Sequence, residues 1–255
     1  HSPWIPREGY VRDPDALDRG VLPHSRGWDR LKLKVMADRK LDPATVASWV
    51  EAYDSELRFL DEHVGRLLDA LPAFGIGPED EVYILADHGE YLGEHFLVEH
   101  SKDVYETALH VPLIVRGPGF AAGRDATPVQ HTDVARWLVD EAPGPPVATA
   151  GSTPLQVSEL YYTRKEELRN PRYGGRFDRI RRAFRVGDHS LILGSDGSRE
   201  VYDLAVDPGQ LHPIEPSWSA ELEAAAAAWL EAHPEKPSAS EVPTNTEVLR
   251  ALGYL

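Results

Sequence analysis

Beyond Asp42 the apolar positions fall into one register: Tyr53, Leu57, Leu60, Val64, Leu67 and Leu71 recur at alternating steps of four and three. Such steps put the side chains on one face of a long α-helix. Asp42 suits the N-cap with Pro43 at the first helical position, and Pro72 with the Gly75/Gly77 loop ends the run. Val82 to Ala86 and His110 to Val115 are short, nearly continuous apolar runs, as expected of buried strands. Pro112 lies near the start of the second, where a missing donor is tolerated. Asp133 to Val139 is helical in pattern. Helix, strand, loop, strand and helix in this order predict an α/β layer with a mostly parallel sheet. Residues 1–42, rich in Pro, Gly, Asp and Arg, show no long period and read as extended or loop structure.

The pattern changes across residues 142–157, a stretch of Pro, Ala, Gly, Ser and Thr that reads as a linker. Short strands follow at Glu159–Thr163, Ala183–Val186, Ser190–Leu193 and Glu200–Leu204, with hairpin turns at Gly187-Asp188 and Ser195-Asp196-Gly197. Ala220–Leu230 is a helix and Glu247–Leu252 a final helical turn. The expected division is a main unit over 1–141, the linker, and a small C-terminal α+β subdomain with an antiparallel sheet over 158–255.

Composition changes this picture little. A formal charge of -15 argues against a nucleic-acid partner but not against an anionic substrate, whose pocket needs only a few local cations. The absence of cysteine removes disulfides and thiolate metal sites from this chain. No apolar run approaches the ~20 residues of a membrane-spanning helix. The first residue is His1 rather than Met, which leads to the expectation that further sequence precedes it.

Candidate chemistry is densest from Asp87 to Lys102. In an open α/β sheet, ligands gather at the carboxyl ends of strands, where Asp87 and His88 fall. A carboxylate and an imidazole there could begin a divalent-cation site; equally, Asp87 could cap a helix and His88 lie on the surface. His95 to His100 is one residue too long for the inverted zinc-protease motif. Gly117-Pro118-Gly119 with Gly123 misses the dinucleotide fingerprint. The run Arg164 to Arg185 holds nine Arg and Lys against three acids. It reads first as a solvated face, and second as the mouth of an anion pocket.

The order of these motifs resembles the C-terminal signature of the sulfatase family, within the alkaline phosphatase superfamily. The matching residues are Tyr53, Glu56, Leu60-Asp61, Val64-Gly65 and Leu67-Leu68, then Asp87 to His95, His100, Lys102, Tyr105-Glu106, Val111 to Val115 and Pro118-Gly119. His1-Ser2-Pro3-Trp4 is similar to an H-x-P-aromatic segment of that family. Glu200 to Leu204 with Asp207-Pro208, and Leu249 to Leu255, resemble its later turn and its chain end.

The resemblance implies part of an alkaline-phosphatase-like α/β sandwich and hydrolysis of sulfate esters, of a small molecule or a glycan. It implies a divalent metal, Ca2+ in a sulfatase, with Asp87 and His88 as two of its four protein ligands. His1 would contact the sulfate and protonate the leaving oxygen. His100, or else Lys102, would be the cation on the far side of the ester. The nucleophile, formylglycine in sulfatases, belongs to the N-terminal half of the catalytic domain, so this chain alone is expected to be inactive and to have that half as its partner. A periplasmic or secreted setting goes with the family. The alternatives are a phosphate or phosphonate ester hydrolase or transferase of the same superfamily, and a non-catalytic remnant that binds sulfated glycans. Glu90, Glu94 and His95 are read as loop-fixing groups, and Tyr105 and Glu106 as tying the loop to the following strand. His24, His131 and His189 are read as structural or surface groups.

Overall fold

The computed structural model describes residues 1–139, 154–161, 163, 165–215 and 220–234. The expected linker up to residue 153 and the final helical turn lie outside them. Helix α1, Trp28–Met36, occupies the segment expected to be loop. Its nine residues hold only two turns of pattern, yet Trp28, Val35 and Met36 are buried. Helix α2, Pro43–Ala70, follows the prediction: Asp42 accepts from the Thr45 amide at 2.9 Å and Pro43 supplies the fixed φ of a first turn. It ends before Pro72, and Gly75 takes the left-handed conformation, φ 81°.

The buried side of α2 is not its apolar stripe. Thr45, Ser48, Trp49, Ala52 and Ser55 face the interior, whereas Leu57, Leu60 and Leu67 are 45%, 55% and 59% exposed. The first half of the helix finds its cover in residues 1–36, and the second half presents its leucines outward.

Strand β1, Val82–Leu85, leads into a loop that carries β2, Tyr91–Leu92, β3, Val98–Glu99, and the single-turn α3, Glu106–Leu109. It returns as β4, Leu113–Arg116, paired antiparallel to β1 with Val82 opposite Arg116 and Leu85 opposite Leu113. The expectation of a mostly parallel sheet is therefore corrected: every pairing among the described residues is antiparallel. A parallel neighbour requires a crossover that carries the chain back along the sheet. Residues 86–112 contain no helix long enough to do so, and the chain turns straight back. His110, Val111 and Pro112, expected in the strand, precede it. Leu85 and Ile114 remain 41% and 59% exposed.

After α4, His131–Val139, come β5, Gln156–Leu160, α5, Lys165–Leu168, β6, Arg181–Val186, β7, His189–Gly194, and β8, Arg199–Asp203, the four strands forming a meander in that order. Strand β5 starts at Gln156, inside the stretch read as linker. Helix α6, Ala220–Ala232, covers one face. Alternation along the strands builds two cores. Phe184, Leu191 and Val201 meet Leu222 and Ala226 of α6. Ala183, Ile192 and Tyr202, on the other face, join the core that contains Trp4, Trp28, Trp49, Tyr91 and Leu97. One face of this sheet thus belongs to the same core as the helices and loops that precede it.

Candidate active site

Asp87 and His88 leave the end of β1, and the chain then bends sharply against α3. Gly89 donates its amide to Ala108 O at 2.8 Å, and a Cβ there would stand 2.0 Å from Thr107 O. The glycine is required by the close approach of two backbones rather than by an unusual φ. The next residue, Glu90, is buried, its side chain 2% exposed. It accepts hydrogen bonds from the Ser2 amide at 2.7 Å, His100 Nδ1 at 3.0 Å and the Trp4 indole at 3.4 Å. One carboxylate therefore holds two segments that lie far apart in sequence.

Trp4 is fully buried, edge-on to Trp28, Trp49 and Tyr53 with ring centroids 6.0, 5.9 and 6.5 Å away. With Trp4 anchored in this aromatic box and Ser2 bonded to Glu90, His1 is delivered to the end of β1. Its ring centroid lies 4.3 Å from that of His100 and 5.8 Å from that of His88. His88 and His100 stack at 4.4 Å and 26°. Burial by itself raises the Glu90 carboxyl, but the hydrogen bond and charge of His100 and the Ser2 amide outweigh it, so the carboxyl lies below its ordinary value.

Each imidazole is oriented by an oxygen. Nδ1 of His1 faces Ser2 O at 2.6 Å, Nδ1 of His88 faces Gly89 O at 2.8 Å, and Nδ1 of His100 faces Glu90. Because carbonyl and carboxylate oxygens only accept, the proton of each neutral ring sits on Nδ1 and the lone pair on Nε2. Asp87, with its side chain 66% exposed, places Oδ2 3.7 Å from His88 Nε2.

The structure brings together Asp87, His88, His100 and His1, and directs Lys102 elsewhere. The ammonium of Lys102 is buried 3.2 Å from Glu167 and 3.7 Å from Glu99. Lys32 completes the group, paired with Glu167 and, at 2.9 Å, with Glu99. Burial depresses Lys102, and the two carboxylates only partly offset this. In Lys32, burial acts the same way, but Glu99 and Glu167 prevail and its ammonium is raised. The cluster joins α1, the β3 loop and α5.

The remaining loop residues are braces. Glu94 accepts from the Leu92 amide at 2.7 Å, and His95 stacks on Tyr105 at 3.6 Å with Nε2 donating to Gly209 O at 3.0 Å. Tyr105 donates to Glu200 at 2.8 Å, and the Glu106 carboxylate accepts from Arg185 at 2.6 Å. These two residues tie the loop to the small subdomain, not to the following strand. His131 donates to Ala86 O at 2.8 Å and supports the end of β1.

Much of the basic run is turned to carboxylates rather than to solvent, while Arg172 is 52% exposed. Arg181, 1% exposed, bonds Asp103 at 2.8 Å and Glu200 at 2.6 Å; Arg179 bonds Asp196 at 2.9 Å, and Arg182 bonds Glu159 at 2.8 Å. Arg172, Arg179, Arg181, Arg182 and Arg185 are in ion pairs, several of which join this sheet to the loop behind the site.

Comparison with known proteins settles the lineage. Residues 15–144, more than half of the chain, match the sulfatase family model. The chain belongs to the sulfatase family. An uncharacterized sulfatase, YidJ, of Escherichia coli K12 is 29% identical over 165 residues, which cover 61% of this chain and 32% of that protein. This sulfatase chain thus spans about a third of the length of the curated relatives it matches. Among solved structures, a 2-O GAG sulfatase superposes with a TM-score of 0.59 at 18% identity, over 80% of this chain and 46% of that one. The phosphonate monoester hydrolase of Agrobacterium radiobacter gives 0.54 at 18%, over 83% of this chain and 43% of that one. At these identities the likeness speaks for the fold, an alkaline-phosphatase-like α/β arrangement.

Proposed function

We propose that this chain supplies the leaving-group and cation side of a sulfate-ester hydrolase site. The observation that carries the reading is the convergence of His1, His88 and His100 beside Asp87 at the end of β1. In this reading His1 and His100, when protonated, direct Nε2–H toward an anionic ester. His1 is the more exposed and is the candidate to pass a proton to the departing oxygen. His100, held by Glu90, is the fixed cation on the far side. Lys102 is assigned a structural role, because its charge is committed to Glu99 and Glu167.

Asp87 and His88 suit a divalent cation: a carboxylate oxygen and an imidazole nitrogen 3.7 Å apart can share one ion at ordinary bond lengths of ~2.0–2.6 Å. Ca2+ is the ion the family suggests, and it would need further oxygen ligands from outside this chain. Bound there, the cation would neutralise charge on the non-bridging ester oxygens. The attacking group, formylglycine in this reading, belongs to the N-terminal part of the catalytic domain. Leu57, Leu60 and Leu67, exposed along one face of α2, are the apolar surface on which that part would dock.

The test is release of sulfate from an aryl sulfate by this chain, alone and co-produced with a nucleophile-bearing N-terminal sulfatase portion. Turnover only in the combination, abolished by His100→Ala, supports the reading. Turnover by the chain alone refutes an external nucleophile. Cleavage of the matching phosphate or phosphonate ester in preference to the sulfate transfers the site to the alternative hydrolase class. Absence of both association and turnover overturns the enzyme reading.

A further inference from the structure

We infer that the cleft between the end of α1 and the segment that follows α5 is a binding site for a small dicarboxylate. The cleft measures about 370 Å3 and is walled by Met36, Pro171 and Tyr173 together with Arg39, Arg172 and Arg176. None of these residues belongs to the site at the end of β1. Pockets for small molecules start at roughly 300 Å3 and set a few fixed polar groups among uncharged walls. Here three guanidinium groups line the cleft with no acidic residue beside them, in a chain whose formal charge is -15.

Two of the three cations are not neutralised. Arg172 is paired with Asp38. Arg39 is exposed and has no carboxylate partner among the described residues. Arg176 donates through Nη2 to His95 O at 2.9 Å, while its Nη1 is buried without a hydrogen-bond partner. Burial, and then the charge of Arg39, lower the Arg176 guanidinium below its ordinary value. Asp103 opposes this, but that carboxylate is committed to Arg179 and Arg181. A buried cation beside a like charge, with a donor unused, is stabilised by an anion that enters.

The placement of the cations favours two linked carboxylates over a single-centre ion. Arg39 lies over the Phe96 ring at 5.8 Å from its centroid, and Arg176 over the Phe177 ring at 5.5 Å. Each is held on its own ring, so carboxylates at the two ends of a short chain can meet both in place. Sulfate would have to draw the two groups to one point. A guanidinium fork matches a planar carboxylate through two parallel hydrogen bonds, and the uncharged walls suit the carbon chain between them. Arg39 also has φ 52°, a left-handed backbone that glycine adopts without strain. The chain carries a cation where glycine would relieve that strain.

The experiment is calorimetric titration of the full 255-residue chain with succinate, acetate and sulfate at low ionic strength. Succinate should bind at a single site, more tightly than acetate, and should weaken as salt is added. Arg39→Gly removes the cation at a position whose backbone suits glycine, so it should fold as the parent chain does and lose at least about tenfold in succinate affinity. Arg176→Lys, which keeps the charge and discards the fork, should also weaken succinate. His100→Ala should leave it within about twofold, since that ring lies outside the cleft. No succinate binding, succinate affinity unaltered by both Arg39→Gly and Arg176→Lys, or succinate affinity lost in His100→Ala overturns the inference. Sulfate binding that matches succinate and falls with it in Arg39→Gly overturns the dicarboxylate assignment. Each of these results leaves the ester-hydrolysis reading standing, because no residue of the cleft takes part in it.

Discussion

Glu90→Gln tests whether one carboxylate assembles the site. The substitution preserves size and leaves an amide oxygen able to accept from His100 Nδ1. At the other terminus it places an NH2 where Oε2 now accepts from the Ser2 amide at 2.7 Å and the Trp4 indole at 3.4 Å. Donors then face donors in a buried setting. A buried donor left unsatisfied costs about 1–3 kcal/mol. With one strong bond and one weaker bond lost, the total is about 3 kcal/mol, which for a chain of this size lowers Tm by roughly 6–12 °C.

The pH dependence gives an independent check of sign. The Glu90 carboxyl is depressed in the folded state, since the His100 and Ser2 bonds outweigh the effect of burial. Such a group contributes stability that is present above its unfolded pKa of about 4.3 and is lost as pH falls through the folded value. The gap between wild type and Glu90→Gln should therefore be full near pH 7 and shrink below about pH 4. Thermal unfolding followed by circular dichroism at both pH values measures it. A gap under about 2 °C at neutral pH, or one unchanged in acid, would refute the assignment of Glu90 as the clamp.

Arg181→Met removes the buried cation between Asp103 and Glu200 and should cost about 3–5 kcal/mol in urea unfolding. A loss below about 1 kcal/mol would show that the subdomain is not held through this residue. Lys102→Met should lower Tm yet leave sulfate-anion affinity of the chain within about twofold, whereas His100→Ala should abolish detectable binding; the opposite ranking would return the anion contact to Lys102. Leu60→Glu, at an exposed position, should change the stability of the isolated chain by less than about 0.5 kcal/mol. It should nevertheless block association with a separately produced N-terminal portion in a pull-down, and unchanged association would place that interface elsewhere.

What the sequence determined by itself was local. The cap at Asp42, the extent of α2, the turns at Gly187 and Ser195 to Gly197 and the strands between them follow from short-range rules of backbone geometry. The family was legible from the order of motifs, and the same motifs singled out Asp87, His88 and His100, which the fold brings together. The nine-residue α1 was not, because two turns of pattern among many charges carry little signal.

Tertiary structure decided everything that depends on partners distant in the chain. The direction of β4 follows from a connection that contains no crossover, and an apolar run does not encode direction. Which of His100 and Lys102 faces the end of β1 turned on which of them meets Glu90 and which meets Glu99 and Glu167, the last of these on a separate helix. The basic run became a set of ion pairs because its acids lie on other strands and loops. His1 gains its place from Trp4, buried among aromatic rings of α1 and α2. Composition and spacing specify what each residue can bond to, but packing determines which of those bonds is within reach.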